Sequence, residues 1–360
     1  MDKTGMKVME IYKHSREKRT NFKEIKIMIS GYGAVAKELV RLLSKQNNWA
    51  ETYGATFLLT GIIGSEGMIY EENGIDLSQL LQCEKGSAGL RSYSKTKGIP
   101  VTSACLNGDV LIECSPTDIQ TGGPALGYIM EAIQDNMNVV SVSKGALVHS
   151  FASIMAAAEE RQVQIKYSGA TAAALPTLDI GEMSLAGSTV TKVEGILNGT
   201  SNFILTAMQK ELVSYEQALS IAKEKGIAES NPALDVEGTD SACKLLLIAN
   251  KIFCAQYTLQ HVQVEGITQL TRSTMIEIEG QEQKMKLLCT AERTGNSVSM
   301  KVRPVSINQD HPLYHVEGVE KGITFYTEEM GRICCTGGAS SPKGAAAAAL
   351  KDLINLYRSH

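Results

Sequence analysis

Aromatic residues are scarce in this chain, 5% of 360, with a single tryptophan, Trp49. Single-stranded nucleic acid is held on stacking platforms, and little is present to build one. There is no excess of positive charge: Lys plus Arg is 35 against 39 for Asp plus Glu, a net charge of −4. Without an overall positive field to gather a phosphate polymer, no nucleic-acid partner is expected. No apolar run approaches the roughly 20 residues of a membrane span, so no membrane partner is expected either. None of the eight cysteines, Cys83, Cys105, Cys114, Cys243, Cys254, Cys289, Cys334 and Cys335, forms a C-x-x-C pair, which excludes a zinc ribbon. They lie in apolar stretches and read as buried, reduced thiols of a cytoplasmic protein, with vicinal Cys334-Cys335 packed in a strand. Residues 1–24 mix basic and acidic side chains without a secretory apolar core, and read as a solvated leader or short helix.

What is present is an ordinary globular balance, 43% apolar and 21% charged, in a chain long enough for two domains. Residues 25–30 (I-K-I-M-I-S) read as a buried strand, and 37–43 have helical spacing. Strands are expected at 55–63, 109–114, 138–142 and 164–167, with helices at 123–136 and 151–161. This alternation predicts βαβ units and a parallel, doubly wound sheet. After residue 167 the pattern changes. Residues 168–176 (S-G-A-T-A-A-A-L-P) read as a close-packed loop. Strands are expected at 190–196, 298–304, 322–326 and 332–336. Helices are expected at 201–210, 214–225, 241–253 and 343–357, with a carboxylate-rich loop at 234–239.

Between the first strand and first helix stands Gly31-Tyr32-Gly33-Ala34-Val35-Ala36. This is the G-x-G-x-x-G/A dinucleotide fingerprint. The first glycine makes a tight turn, the second admits pyrophosphate to the backbone, and the third position is small so that helix and strand can touch. Gly31, Gly33, Ala34 and Val35 are the candidate cofactor contacts, with the anion at the helix N-terminus. The second expected strand ends Ile62-Ile63-Gly64-Ser65. The ribose carboxylate usual there is missing, the first acid is Glu66, and no arginine is adjacent. NAD and NADP therefore both stay open.

A second constellation begins at Lys192 with K-V-E-G-I-L-N-G-T-S-N-F-I-L-T-A-M. It continues with K-E-K-G-I-A-E-S-N-P-A-L-D-V-E-G-T-D-S-A-C-K-L-L-L-I-A. Asp240 and Lys244 are four apart at the start of an apolar helix and share one face. As an isolated surface pair they would contribute roughly 0.3–0.5 kcal/mol. Here they adjoin Leu245-Leu246-Leu247-Ile248, and Glu229 and Asp235 lie in the segment that feeds the helix. Reduction of an aldehyde requires a hydride on carbon and a proton on oxygen, and an ammonium such as that of Lys244 can meet the developing alkoxide.

These segments, 195–205 and 226–244, closely resemble homoserine dehydrogenases, which carry N-G-T-x-N-[YF]-I-L and then G-[YF]-x-E-x-[DN]-P-x-x-D-[VL]-x-G-x-D-x-x-x-K. The resemblance implies NAD(P)-dependent interconversion of L-homoserine and L-aspartate 4-semialdehyde in amino-acid biosynthesis. It implies Lys244 as proton donor steadied by Asp240, with Glu229 and Asp235 toward the substrate ammonium and the Gly199-Thr200 backbone against the substrate. Lys144, after an expected strand end, is implied to lie between nicotinamide and substrate, and Ser115 is a further cofactor-contact candidate. The resemblance also implies a monovalent cation, sodium, on the carbonyls of Ser168, Thr171, Ala173 and Leu175.

The implied architecture is α/β: a Rossmann-type nucleotide-binding domain at 25–168, completed by 337–360, with an α+β substrate and dimerisation domain. In that second domain, 169–300 is the catalytic part and 301–336 supplies the strands of a homodimer contact. The chain ends before the amino-acid-sensing domain that many relatives carry, so feedback through such a domain is not expected.

Two segments depart from the family pattern. The junction loop, usually G-[GA]-G-x-P after an acid, reads Ala172-Ala173-Ala174-Leu175-Pro176 with Ser168 in the acid's place. The later G-x-G-A-G segment reads Gly337-Gly338-Ala339-Ser340-Ser341. Methyl groups thus replace hydrogens where backbones approach. Two alternatives follow: a related dehydrogenase for another small amino or hydroxy acid, and a non-catalytic dinucleotide-sensing protein.

Overall fold

Ile25, Ile27 and Ile29 alternate with Met28 and Ser30, and all five are buried. A strand buried on both faces belongs in the middle of a sheet covered on both sides. In the computed structural model, which describes residues 22–46, 49–338 and 340–358, this is strand β1 (Lys23–Ser30). It is flanked by β2 (Ala55–Gly64) on one side and β4 (Val110–Glu113) on the other, both parallel to it. β3 (Gly67–Tyr70), β5 (Asn138–Ser141) and β6 (Ile165–Lys166) complete a six-stranded sheet in the order β3-β2-β1-β4-β5-β6.

The doubly wound pattern holds with one correction. β3 follows β2 after only Ser65 and Glu66, too short for a crossover, so it returns as an antiparallel edge. Most of the expected leader, up to residue 21, lies outside the described residues, while Lys23 and Glu24 already belong to β1.

The reversal of strand order between β1 and β4 is the switch point where such sheets bind ligands. The loops after these strands meet there. Gly31 has φ +83°, and a Cβ on it would stand 2.7 Å from the Ser115 Cα. Helix α1 (Ala34–Leu43) starts at once, with Ala36 fully buried against the sheet. Helices α2 (Ser87–Lys97), α3 (Gly123–Gln134) and α4 (Gly145–Arg161) cover the rest of the sheet.

The junction at 168–176, expected as a loop, instead forms a short helix, α5 (Ser168–Ala172), followed by a turn. Beyond it lies a second six-stranded sheet, ordered β12-β11-β7-β9-β10-β8. Its strands are β7 (Val190–Ile196), β8 (Val262–Val264), β9 (Lys284–Thr294), β10 (Ser297–Ile307), β11 (Lys321–Thr327) and β12 (Gly331–Gly337). Its pairs are antiparallel except β10 with β8. Residues 301–336 thus share one sheet with 190–196 and 284–294.

Helices α6 (Gly199–Glu211) and α7 (Thr239–Ile252) pack on this sheet. The final helix, α8 (Pro342–Tyr357), returns to the first sheet, where Ala346, Ala349 and Leu353 share a core with Ile27, Leu39 and Val40. The thiols are less uniform than expected. Cys83, Cys243 and Cys289 are buried, but Cys105, Cys254 and Cys334 are exposed. Cys334 and Cys335 do lie in a strand, yet β12 is the sheet's edge and Cys334 faces outward.

Gly31→Ala should destabilise the fold by about 2 kcal/mol, from the left-handed backbone and the clash at Ser115. Urea unfolding checks this; an unchanged midpoint would show that the two loops can separate freely.

Candidate active site

Asn198 accepts a hydrogen bond from the Ser201 N–H at 2.9 Å and so caps α6. Its amide donates in two directions, to Asp235 Oδ1 at 2.7 Å and to Asp240 Oδ2 at 2.8 Å. Every polar hydrogen of that side chain is used, which fixes the amide and both carboxylates.

Asp240, in the first turn of α7, also receives Lys244 Nζ at 2.6 Å on Oδ2 and Lys144 Nζ at 3.0 Å on Oδ1. Lys144 precedes α4 just beyond β5, on the first sheet, so one carboxylate ties the two sheets together. Burial would push the Asp240 carboxyl up, but the Lys244 and Lys144 ammonium groups outweigh it and hold it well below the usual carboxylate range. Burial likewise opposes the charge on Lys144, and Asp240 again prevails and raises it. Asp235 goes the other way: burial raises it, with Asp240 and Glu229 adding to the rise against the Asn198 hydrogen bond.

Lys244 also donates to the Leu197 carbonyl at 3.0 Å. An ammonium has three hydrogens. Two are used among the described residues, and the third is free for a ligand. Asn198, Gly199, Thr200, Gly226, Ile227, Asp235, Asp240, Lys244, Val319 and Ser340 line a cavity of about 380 Å³. Glu229 is exposed in the loop before Asp235 and does not line this cavity.

On the first sheet, Gly33 has nothing within 4 Å of where a Cβ would be, which leaves room for a phosphate. Ala34 and Val35 occupy the first turn of α1, whose N–H groups lack intrahelical partners. A dinucleotide fits this cradle. Ser115 donates its N–H to Glu113 Oε1 at 2.7 Å and its hydroxyl to the same oxygen. Glu113 ends β4 fully buried, and the Ser141 hydroxyl stands 3.5 Å from its other oxygen. Contacts thus run from Gly31 through Ser115, Glu113 and Ser141 to the segment carrying Lys144. At the ribose end, Arg91 of α2 pairs with Glu66, and Ser65 Oγ lies 2.8 Å from Ser87 Oγ. An arginine is therefore present after all, brought from 25 residues away.

Two of the four carbonyls implied for a monovalent cation already accept hydrogen bonds from the chain itself, and a lysine ammonium stands at the same segment. The Ser168 carbonyl accepts the Thr171 hydroxyl at 2.8 Å, and the Leu175 carbonyl accepts the Thr177 N–H at 2.8 Å. The intervening Ala172 carbonyl holds Lys321 Nζ at 2.5 Å. Ala173 stands at φ 52°, ψ −116°, a conformation suited to glycine. The acid missing at 168 comes from the final helix: Asp352 accepts the Ser168 N–H and hydroxyl, each at 2.8 Å. Lys351 Nζ lies 2.9 Å from the Ser168 hydroxyl.

Sequence reasoning brought Lys144, Asp235, Asp240, Lys244, Gly199 and Thr200 to one place. It missed Asn198, although the N-G-T segment puts an amide side chain directly before a helix. It missed Val319, which no local pattern marks, and named Ser340 only as part of the altered glycine segment.

A glycine-turned dinucleotide loop on one sheet, with an ammonium at the wall of a cavity on the other, marks an α/β nicotinamide-linked dehydrogenase. A sequence model described as homoserine dehydrogenase matches residues 176–354, and one described as Glutamate/Leucine/Phenylalanine/Valine dehydrogenase matches 1–121. The homoserine dehydrogenase of Methanocaldococcus jannaschii is 30% identical over 337 residues, spanning 92% of this chain and 98% of that protein. The NAD(+)-dependent homoserine dehydrogenase of Pseudomonas canavaninivorans is 30% identical over 343 residues, spanning 93% and 97%. A solved structure described as a putative homoserine dehydrogenase from Archaeoglobus fulgidus superposes with a TM-score of 0.81 at 29% identity, over 93% of this chain and 100% of that one. The chain belongs to the homoserine dehydrogenase family.

Burial pushes the Glu113 carboxyl from its ordinary 4.5 up to about 7, against hydrogen bonds from Ser115 and Ser141. Between these values the folded protein keeps a proton that the unfolded chain has released. Stability therefore falls as pH rises through that window. Glu113→Gln should remove this fall, so that unfolding free energies of the two proteins converge at low pH and separate by up to about 3 kcal/mol above pH 7. Parallel urea titrations check this; curves that keep one constant offset would mean the carboxyl does not titrate there.

Proposed function

We propose that this protein interconverts L-homoserine and L-aspartate 4-semialdehyde with a nicotinamide dinucleotide. The observation that carries the reading is the Lys244 ammonium, held by Asp240 and Leu197 with one hydrogen left toward the cavity. Bound in the Gly31–Val35 cradle, the cofactor supplies or accepts the hydride at the carbon bearing oxygen. In the reducing direction Lys244 donates a proton to the oxygen as negative charge develops there; in the oxidising direction it accepts that proton back. Asp240 keeps the amine in place. Lys144, on the other oxygen of Asp240, stands on the nucleotide-binding side, where it orients cofactor and substrate together. Asp235, with Glu229 behind it, receives the substrate ammonium. The Gly199-Thr200 backbone, at the start of α6, lies against the substrate body.

Glu66 suits the ribose diol of NAD and Arg91 the extra phosphate of NADP. The pairing of these two side chains supports use of either cofactor. The exposed edge of β12, which bears Ile333 and Cys334, supports a homodimer joined strand to strand across a two-fold axis.

Lys244→Ala should lower turnover of homoserine by roughly 10²–10⁴-fold, the usual worth of a positioned proton donor. Cofactor affinity, followed by nicotinamide fluorescence, should change little. A near-normal rate in the variant would remove Lys244 from the chemistry, and absence of turnover on homoserine by the unaltered protein would contradict the assignment.

A further inference from the structure

Lys321 opens β11 and is 2% exposed. A lysine so deeply buried calls for a local reason. Three segments converge on it. Its ammonium donates to the Ala172 carbonyl at the C-terminal end of α5, which also accepts the Leu175 N–H at 3.2 Å. Gly337 of β12 is its register partner. The next residue, Gly338, lies so close to the junction that a Cβ there would be 2.6 Å from the Leu175 nitrogen. The charged groups that act on Lys321 are Lys244 and Asp240 of the active site. Burial and the Lys244 ammonium push it down to about 8, with Asp240 opposing, so at neutral pH it remains mainly protonated.

Lys351, the other ammonium on this segment, is paired with Asp179 and Asp352. Lys321 has no ion pair with a carboxylate among the described residues. Its charge is met by a main-chain carbonyl, the kind of partner that carbonyl-lined cation sites use.

We propose that the Lys321 ammonium is a tethered counter-ion of the junction between the two sheets, standing permanently where a carbonyl-bound monovalent cation would stand, so that the protein binds and requires no sodium or potassium. Lys321 is a positioning residue. By holding the Ala172 carbonyl it fixes residues 173–175 against Gly338, and so sets the wall beside Asp240 and Lys244 without touching the substrate. Only the kinetic arm of the test rests on the homoserine dehydrogenase reading.

Thermal unfolding without substrate, in NaCl, KCl and choline chloride at equal ionic strength, tests it. The unaltered protein should show the same Tm in all three salts. Lys321→Ala should unfold earlier in choline chloride and recover at least half of that loss in NaCl or KCl, as a free ion enters the vacated space. Lys321→Ser also removes the charge and leaves room for the ion. It should show the same selective recovery and decides the matter if the alanine variant does not fold. Lys321→Arg should stay indifferent to the salt. In homoserine oxidation the neutral variants should gain at least a fivefold dependence of kcat on sodium or potassium, with cofactor KM unchanged.

An unaltered protein whose Tm or kcat rises in sodium or potassium over choline overturns the proposal. So do neutral variants as indifferent as the parent. If no form oxidises homoserine, the thermal arm still decides the counter-ion, and only the functional reading fails.

Discussion

The structure depends on one carboxylate shared by two amines. Asp240 receives Lys244 from its own helix and Lys144 from the far sheet, and Asn198 steadies it from a third direction. Such clusters contribute little net stability, because desolvation offsets much of the attraction. What they supply is position. Without the carboxylate, two ammonium groups would face each other in a half-closed cleft, a loss of roughly 3–5 kcal/mol for a broken buried pair. Through Asp240 a helix of the second sheet is joined to the segment after β5 of the first.

The junction carries the same logic in its backbone. Ala173 stands in a glycine-like conformation beside the Ala172 carbonyl that Lys321 holds. Asp352 from the last helix replaces the acid missing at 168, and Lys321 from β11 faces the Ala172 carbonyl. The chain's final helix is therefore part of the joint between the sheets as well as of the first sheet's core.

These features divide by how local they are. The strand, glycine turn and helix at 25–43 were legible because each rests on neighbours a few residues away: a buried run, two glycines, an apolar stripe. The N-G-T segment and the Asp240-Lys244 spacing were legible for the same reason. Lys321 was not: between Glu320 and Gly322 it reads as a surface lysine at a turn, and its burial comes from Ala172, 149 residues earlier. Asp352 sits in an alanine-rich helix, and its partner Ser168 is 184 residues away. Arg91 leaves no local sign at the ribose end because α2, which carries it, packs there only in three dimensions. The antiparallel β3 escaped notice because four residues after a tight turn leave a short signal, and β9 because its apolar run adjoins a charged loop. The thiols read as buried came out mixed, since an apolar neighbourhood in sequence does not say which face of an edge strand meets solvent.

The most direct test of the central claim is a crystal structure with homoserine and an oxidised nicotinamide cofactor bound together. The account predicts the substrate hydroxyl oxygen about 3 Å from Lys244 Nζ, with Asp240 still bridging that amine and Lys144. A hydroxyl turned away from Lys244, toward Asp235 or open solvent, would contradict it.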